Sequence, residues 1–405
     1  MTQQSPLLSP ISPSFYSLGI APKLLEILDR MKFTIPTPIQ HKAIPIAIEG
    51  KDVMGIAQTG TGKTLAFGIP MVQRLAQRPG RGLVLVPTRE LALQVGETFH
   101  KIGTSFGMRS AILIGGASMY NQVEALKRNP RIIIATPGRL IDHLQQRTVR
   151  LNEVSVLVLD EADRMLDMGF QPQIERILQT VPKDRQTMLF SATIPQEIMK
   201  IAASYMKLPV SIEIAKSGTV AEHVTQELFI VKQEAKRELL GKLLQQYHGS
   251  VLLFSRTKIG AYKITKALRV MGYHVAEIHS DRSLSQRREA LEGFKSGKYR
   301  VLVATDIAAR GIDVTGIELV LNYDLPDDAE NYVHRIGRTG RAGHEGHAIS
   351  FATPDQRNDV QNIEKVMRSV LPISEHPEIP TERFAKPRVV FSSSRRFRPT
   401  RKKYR

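Results

Sequence analysis

Three groups of residues carry types and spacings that can do chemistry. The first is Ala57-Gln58-Thr59-Gly60-Thr61-Gly62-Lys63-Thr64. Gly60 and Gly62 let the backbone curl so that successive N–H groups point inward, and a helix beginning there adds its positive dipole end. Lys63 can then reach the terminal phosphates of a nucleotide, and the Thr64 hydroxyl can ligate Mg2+. The first glycine of the common G-x-x-x-x-G-K-[ST] pattern is Ala57 here. The second group is Asp160-Glu161-Ala162-Asp163, delivered by the apolar run 154–159. A carboxylate at a strand tip can hold the same Mg2+, and Glu161 is placed to orient or deprotonate a water. The third is His334-Arg335-Ile336-Gly337-Arg338-Thr339-Gly340-Arg341. Three arginines at three-residue spacing, broken by glycines, are poor core material and suit insertion into a phosphate site from a facing domain. Upstream, Gln40 offers a donor and an acceptor that can pair with N6 and N7 of an adenine, and Phe33 offers a face for stacking.

Residues so far apart need a scaffold that gathers them. Apolar runs at 52–56, 83–86, 111–114, 132–135, 154–159 and 187–190 alternate with helical segments, the first of them at 22–30. This alternation predicts a parallel sheet with helices on both faces. Ligands of such sheets lie beyond the carboxyl ends of the strands. There the runs end in Pro87–Leu91, Gly115-Gly116, Thr136–Arg139, Asp160–Asp163 and Ser191–Thr193, which on one rim make a site. From 207 to 221 no long apolar period is present, which reads as a linker. A second alternation follows at 227–231, 251–254, 275–278, 301–305, 319–322 and 348–351. It has no phosphate loop, but carries Asp306, Arg310, Gly311 and Asp313 ahead of the arginine cluster.

Composition bounds the chemistry. The 405 residues suit two α/β lobes, and 42% hydrophobic with 24% charged residues is globular. With no cysteine, disulfides, thiolate zinc sites and thiol catalysis are excluded. No apolar run approaches the roughly 20 residues that span a bilayer, and 1–17 lacks the features of a secretory signal. A soluble, cytoplasmic protein without membrane attachment is expected. The formal net charge of +18 points to a polyanionic partner. From Thr381 onward ten basic residues face one acid, Glu382, and Phe391, Phe397 and Tyr404 lie among them as stacking surfaces.

Taken in order, Gln40, 57–64, 87–91, 136–139, 160–163, 191–193, 304–313 and 334–341 resemble the motif set of the DEAD-box RNA helicases. The likeness spans 15 to about 371, and the compact core with a short basic tail is most similar to the bacterial RhlE-like branch. The resemblance implies an α/β fold of two tandem RecA-like domains, each a parallel β-sheet flanked by helices, with a disordered basic tail. The expected divisions are a flexible 1–14, a first domain at 15–208, a linker at 209–223, a second domain at 224–373 and the tail at 374–405. It further implies ATP and Mg2+ as cofactors, with Phe33 and Gln40 on adenine and Thr59, Gly60, Thr61, Gly62, Lys63 and Thr64 on phosphates. Thr64 and Asp160 would hold the metal and Glu161 would act on water. Asp313 would meet the ribose, and Arg338 and Arg341 the γ-phosphate. Asp163, Ser191, Thr193 and His334 would couple hydrolysis to closure of the lobes. Arg89, Gly116, Thr136, Arg139, Arg256, Arg287 and Thr305 would contact RNA, single-stranded or in short duplexes, with little regard to sequence.

The chain departs from the family pattern at Leu284 in place of a usual Gln, Ser280 in place of a glycine after His279, and Lys32 in place of a common Gly before Phe33. Leu284 cannot make a glutamine's polar contact, so weaker RNA binding or interlobe coupling is expected there. The leading expectation is an RNA-stimulated ATPase that separates short duplexes or remodels RNA–protein complexes, in settings such as ribosome assembly or RNA decay. The alternative is an ATP-gated RNA clamp or annealing chaperone whose unwinding is incidental.

Overall fold

The computed structural model describes residues 14–57, 60–214, 224–306, 317–340 and 345–385. Two parallel sheets organise them. The first contains β1 (Val53–Ile56), β2 (Arg81–Leu85), β3 (Ser110–Leu113), β4 (Ile132–Ala135), β5 (Val154–Leu159), β6 (Gln186–Ser191) and β7 (Val210–Glu213), in the order β3-β4-β2-β5-β6-β1-β7. The second contains β8 (Val224–Ile230), β9 (Val251–Phe254), β10 (Val275–Ile278), β11 (Val301–Ala304), β12 (Leu319–Asn322) and β13 (Gly346–Ala352), in the order β10-β11-β9-β12-β13-β8.

Each central strand feeds two cores. Along β5, Val156 and Val158 pack on one face while Leu157 and Leu159 pack on the other. In the second sheet Leu252 and Phe254 of β9 face one cluster, Val251 and Leu253 the other. Such strands read as continuous apolar runs because both faces are covered by helices. The register fixes the rim: Ile56 lies beside Ser191, Leu85 beside both Ala135 and Leu159. The residues that follow these strands therefore emerge side by side.

The helices of the first lobe that bear on the site mostly follow those strand ends. They are α1 (Pro22–Arg30), α2 (Pro38–Ile48), α3 (Lys63–Gln77), α4 (Arg89–Gly103), α5 (Met119–Lys127), α6 (Pro137–Gln145) and α7 (Ala162–Asp167), followed by α8 (Gln171–Thr180) and α9 (Gln196–Tyr205). Proline at the first turn starts α2 and α6, where its missing N–H would have had no partner anyway. Thr88 caps α4 by accepting from the Leu91 N–H at 3.3 Å. The second lobe adds α10 (Lys236–Gln246), α11 (Lys258–Val270), α12 (Leu284–Lys295), α13 (Ala329–Ile336) and α14 (Arg357–Met367). Among the described residues no helix is long and apolar enough to cross a membrane.

Two boundaries differ from those expected. The expected linker at 209–223 begins with β7, which pairs in parallel with β1 over four residues. Only Ile212 of this edge strand is buried, so it shows no apolar run. The rest of that linker, 215–223, lies outside the described residues, as do 1–13 of the expected flexible start. The expected tail at 374–405 begins as part of the second lobe. The Ser374 N–H donates to Leu228 O at 2.9 Å and the Glu382 N–H to Ile230 O at 3.0 Å, so this segment covers the edge of β8. Ile379 is buried there and Phe384 packs on the core. Backbone bonding to an edge strand needs no apolar sequence, which is why composition did not reveal it. The remaining tail, 386–405, lies outside the described residues.

Candidate active site

The turn after β1 opens a cavity of about 430 Å3. Gly60 and Gly62 both adopt left-handed backbone, with φ of 83° and 85°. A Cβ on Gly62 would also lie 2.3 Å from Gln40 Nε2, so glycine is required there twice over. Gln40 sits in the first turn of α2 and is buried. Its Oε1 accepts from the Thr37 N–H at 2.9 Å and its Nε2 donates to Gly62 O at 3.0 Å. One N–H and one lone pair of the amide are left over for a base. Phe33 lines the cavity and is 40% exposed, as a stacking surface must be. Lys32 before it has φ of 62°, which explains why a glycine would be comfortable at this position. Thr61 lies two residues before, and Thr64 directly after, the buried Lys63, whose Nζ donates to Ala57 O at 3.1 Å. Thr59 lies outside the described residues.

Asp160 and Glu161 line the same cavity, and both are almost fully buried. Their ionisation is pushed in opposite directions. Burial raises Asp160 to about 6, opposed by Lys63 and reinforced by the neighbouring Glu161 charge. At Glu161 burial again disfavours the charge, but Arg164, Lys63 and Arg338 outweigh it and hold the carboxyl down at about 2. Arg164 is ion-paired with Glu161 directly. Glu161 itself is left-handed, φ 51°, at the start of α7. That backbone is uncommon for a non-glycine residue and is found at sites where orientation matters.

Asp163 fastens this turn to the end of β6. Its Oδ2 accepts from the Ala192 N–H at 3.0 Å, the Thr193 N–H at 2.8 Å and the Thr193 hydroxyl at 3.0 Å. Its own N–H donates to Ser191 Oγ at 3.2 Å. From the second lobe, Arg338 lines the cavity and donates from Nε to His334 O at 3.3 Å. His334 lies within electrostatic reach of Asp163 and Glu161, and burial lowers its pKa despite them. Arg341 and Asp313 lie outside the described residues, with Arg310 and Gly311. The third arginine of that cluster turns away. Arg335 is buried and bidentate to Asp306 at 2.6 and 2.7 Å, with further bonds to Asn322 Oδ1 and Asp324 O. It braces the second lobe rather than facing phosphate, because α13 turns 335 inward while 338 lies beyond the helix end.

The seven residues expected on RNA fall into two sets and one exception. Arg89 lies against the Gly115-Gly116 turn, where a Cβ on Gly116 would meet its Nη1 at 2.2 Å, and Gly116 has φ of 75°. Thr136 precedes α6, and Arg139 on it donates to Ala117 O at 3.0 Å. In the second lobe Arg256 is exposed and held by Asp327 at 3.1 Å, and Thr305 follows β11. Arg287 has a different partner. It is 9% exposed and ion-paired at 2.7 Å with Glu90 of α4, across the lobes. Beside it Leu284, half-buried, packs against the first lobe's core. The expected loss of a polar contact is thus met by an apolar one. Neither Glu90 nor the interlobe face of Leu284 carried a signal in sequence, since an acid and a leucine on helices are ordinary.

Because Arg338 comes from the other sheet, the cavity is complete only when both lobes are in place, the construction of a two-lobed P-loop nucleotide hydrolase. The sequence matches the DEAD/DEAH box helicase family over residues 37–201 and the helicase conserved C-terminal domain over 235–343. It is 43% identical over 368 residues to the ATP-dependent rRNA helicase RRP3 of Candida albicans, covering 90% of this chain and 69% of that protein. It is 44% identical over 357 residues to the ATP-dependent RNA helicase CshA of Listeria monocytogenes, covering 87% and 69%. The chain belongs to the DEAD-box helicases. It is an ATP-dependent RNA helicase of that family.

Solved structures add information about lobe placement. Dbp5 of S. cerevisiae bound to RNA and ADP BeF3 superposes with a TM-score of 0.81 at 31% identity, covering 89% of this chain and 95% of that one. A DEAD box protein from Methanococcus jannaschii is closer in sequence, at 36%, yet gives 0.54 over 89% and 99%. Lobes of one fold superpose poorly as pairs when their relative placement differs. The lobes here are arranged as in the RNA-bound relative.

Two expected outcomes follow from the charges. Asp160 at about 6, against its ordinary 3.8, makes the ionised folded state unfavourable. The penalty is complete above pH 6 and absent below about pH 4, so Asp160→Asn should stabilise the nucleotide-free protein by about 1–3 kcal/mol at pH 7.5 and hardly at pH 4. Denaturant titrations at both pH values check this, and equal effects would contradict it. For Glu90 and Arg287, a double-mutant cycle to Gln read by RNA half-saturation should give a coupling of about 1–3 kcal/mol. Additive effects would return Arg287 to direct RNA contact.

Proposed function

We propose that closure of the two lobes around ATP completes hydrolysis and bends bound RNA, so that short duplexes open locally or RNA–protein complexes are remodelled. The observation that carries this is Arg338 of the second lobe in the cavity with Lys63, Asp160 and Glu161. Phe33 and Gln40 take the adenine, and Thr59, Gly60, Thr61, Gly62, Lys63 and Thr64 the phosphates. Asp313 takes the ribose, with Arg338 and Arg341 on the γ-phosphate. Mg2+ fits the donor set: Asp160 is a buried carboxylate short of positive charge, and Thr64 lines the same cavity. Among the described residues no cluster of three or more His, Asp or Glu could hold an ion alone. That suits an ion which keeps phosphate and water ligands. When bound, Mg2+ neutralises charge developing on the phosphate oxygens.

Glu161, ionised at any physiological pH, accepts a proton from or orients the attacking water. Arg338 stabilises charge on the transferred group. Asp163, tied to Ser191 and Thr193 and facing His334, transmits the state of the cavity to the lobe interface. Arg89, Gly116, Thr136 and Arg139 on one lobe and Arg256 and Thr305 on the other grip the RNA backbone, with Arg287 acting through Glu90. Contacts of this kind bind RNA without reading its sequence. Action on ribosomal RNA is supported by the name of the RRP3 relatives, rRNA helicases, and an RhlE-like affiliation accords with the basic stretch from Thr381 onward. A reducing, cytoplasmic setting accords with a chain free of cysteine.

ATP hydrolysis with and without single-stranded RNA tests the reading. RNA should stimulate turnover strongly, and Glu161→Gln should lower kcat by about 10²-fold or more while leaving RNA binding intact. Duplex separation should fall in parallel; separation that persists in the variant without hydrolysis would favour a clamp. Residues 386–405 hold nine basic residues and no acid. Ending the chain after Ala385 should weaken RNA binding and flatten the slope of log K against log salt, by about 0.7 per lost phosphate contact. An unchanged slope would leave the tail without a part in binding.

A further inference from the structure

The Gly115-Gly116 turn rests on a buried polar network that the motif set does not include. Gln122, on α5, is 5% exposed, and His143, on α6, is fully buried. Gln122 Oε1 accepts from the Ile114 N–H at 3.1 Å, while its Nε2 donates to Ile114 O at 3.0 Å and Ala117 O at 3.4 Å. One amide therefore grips both ends of the turn. His143 Nε2 lies 3.2 Å from the same Oε1, and its Nδ1 lies 2.7 Å from the Thr148 hydroxyl. An amide oxygen can only accept, so Nε2 carries the proton and in the neutral ring Nδ1 is an acceptor; the Thr148 hydroxyl, also 3.1 Å from His143 O, has one proton to share between that carbonyl and Nδ1. Burial, with help from Arg139, lowers the pKa of His143 and keeps that ring neutral. Ala117 O also receives Arg139 Nη1 at 3.0 Å, and the Thr136 N–H donates to Leu113 O at 3.0 Å. Two segments separated by twenty residues are thereby locked into one piece.

We propose that Gln122 and His143 are positioning residues for RNA. They hold the turn at 115–117 in register with 136–139, so that both present to the RNA backbone as one preformed surface. The inference rests on the reading of Arg89, Gly116, Thr136 and Arg139 as RNA contacts. The physical need is clear from the turn itself. Gly116 is exposed and left-handed, a conformation that glycine does not hold unaided. A turn free to sample other conformations would have to be ordered by the RNA, at a cost in affinity. The network removes that cost beforehand, from beneath, without touching the ligand. Nothing in this role affects the nucleotide cavity, which neither residue lines.

The test uses the full chain, with RNA-stimulated ATP hydrolysis and binding of a labelled single-stranded RNA in the presence of a non-hydrolysable ATP analogue. Gln122→Met, which keeps shape and removes the amide, should raise the RNA half-saturation about three- to tenfold. RNA-free hydrolysis and ATP half-saturation should stay unchanged. His143→Leu should shift RNA half-saturation in the same direction, and His143→Asn, which keeps a donor, should recover part of the loss. Should Gln122→Met fail to fold, Thr148→Val, which frees His143 Nδ1, should give a smaller rise of about twofold. Variants that lower thermal stability but leave RNA half-saturation unmoved would overturn the proposal. Arg89→Ala and Thr136→Ala separate the two layers. If they weaken RNA binding while Gln122→Met and His143→Leu do not, positioning alone is wrong; if they too have no effect, the contact reading fails first.

Discussion

Everything in this molecule turns on keeping one carboxylate charged where water is scarce. Glu161 is buried, and burial alone would neutralise it. Three cations prevent that, and they have three origins: Arg164 from its own helix, Lys63 from the phosphate loop, and Arg338 from the other lobe. A carboxylate kept charged in this way has all three cations beside it only when the lobes meet. Its neighbour Asp160 has no comparable support and sits at the edge of protonation. The two acids, adjacent in sequence, thus differ in ionisation, as the proposed roles of cation binding and water activation require of them.

The interface that brings Arg338 into place is held at a second point some distance along it. Arg287 and Glu90 form an ion pair almost closed to solvent, and Leu284 packs beside it on the first lobe. A buried pair of this kind is weak evidence for stability, but removing either partner is expensive, since the other charge is then buried alone. The leucine adds apolar area that needs no exact orientation. Glu90 lies next to Arg89 in α4 and Arg287 lies in α12, so this contact ties the first turn of one lobe's helix to a helix of the other.

Much of this was legible in the sequence because it depended on local signals. Strands buried on both faces announce themselves as apolar runs, and the cradle and the acidic turn follow them without a gap. What escaped had no local signal. The edge strand at 210–213 and the segment at 374–385 are held by backbone bonds to a neighbour, which any side chains permit. Arg335 looked like its neighbours at 338 and 341, and only the helix ending at Ile336 separates a structural arginine from one that reaches the cavity. Arg287 reads as an RNA contact in sequence, and its carboxylate partner Glu90, nearly 200 residues away, had no local signal. Gln122 and His143 are ordinary residues of amphipathic helices until the turn they support is seen.

In its proposed role on the base, the double engagement of Gln40 bears on nucleotide choice. Its amide is bonded at once to the entry of α2 and to the Gly62 carbonyl at the start of α3. A base that suits the remaining donor and acceptor leaves that brace undisturbed. A base with the opposite pattern would have to rotate the amide, and in rotating it would release Gly62 and loosen the loop around the phosphates. Under that reading, discrimination among nucleotides would act on catalysis as much as on binding: a wrong base would be felt some distance away, as a poorly held triphosphate.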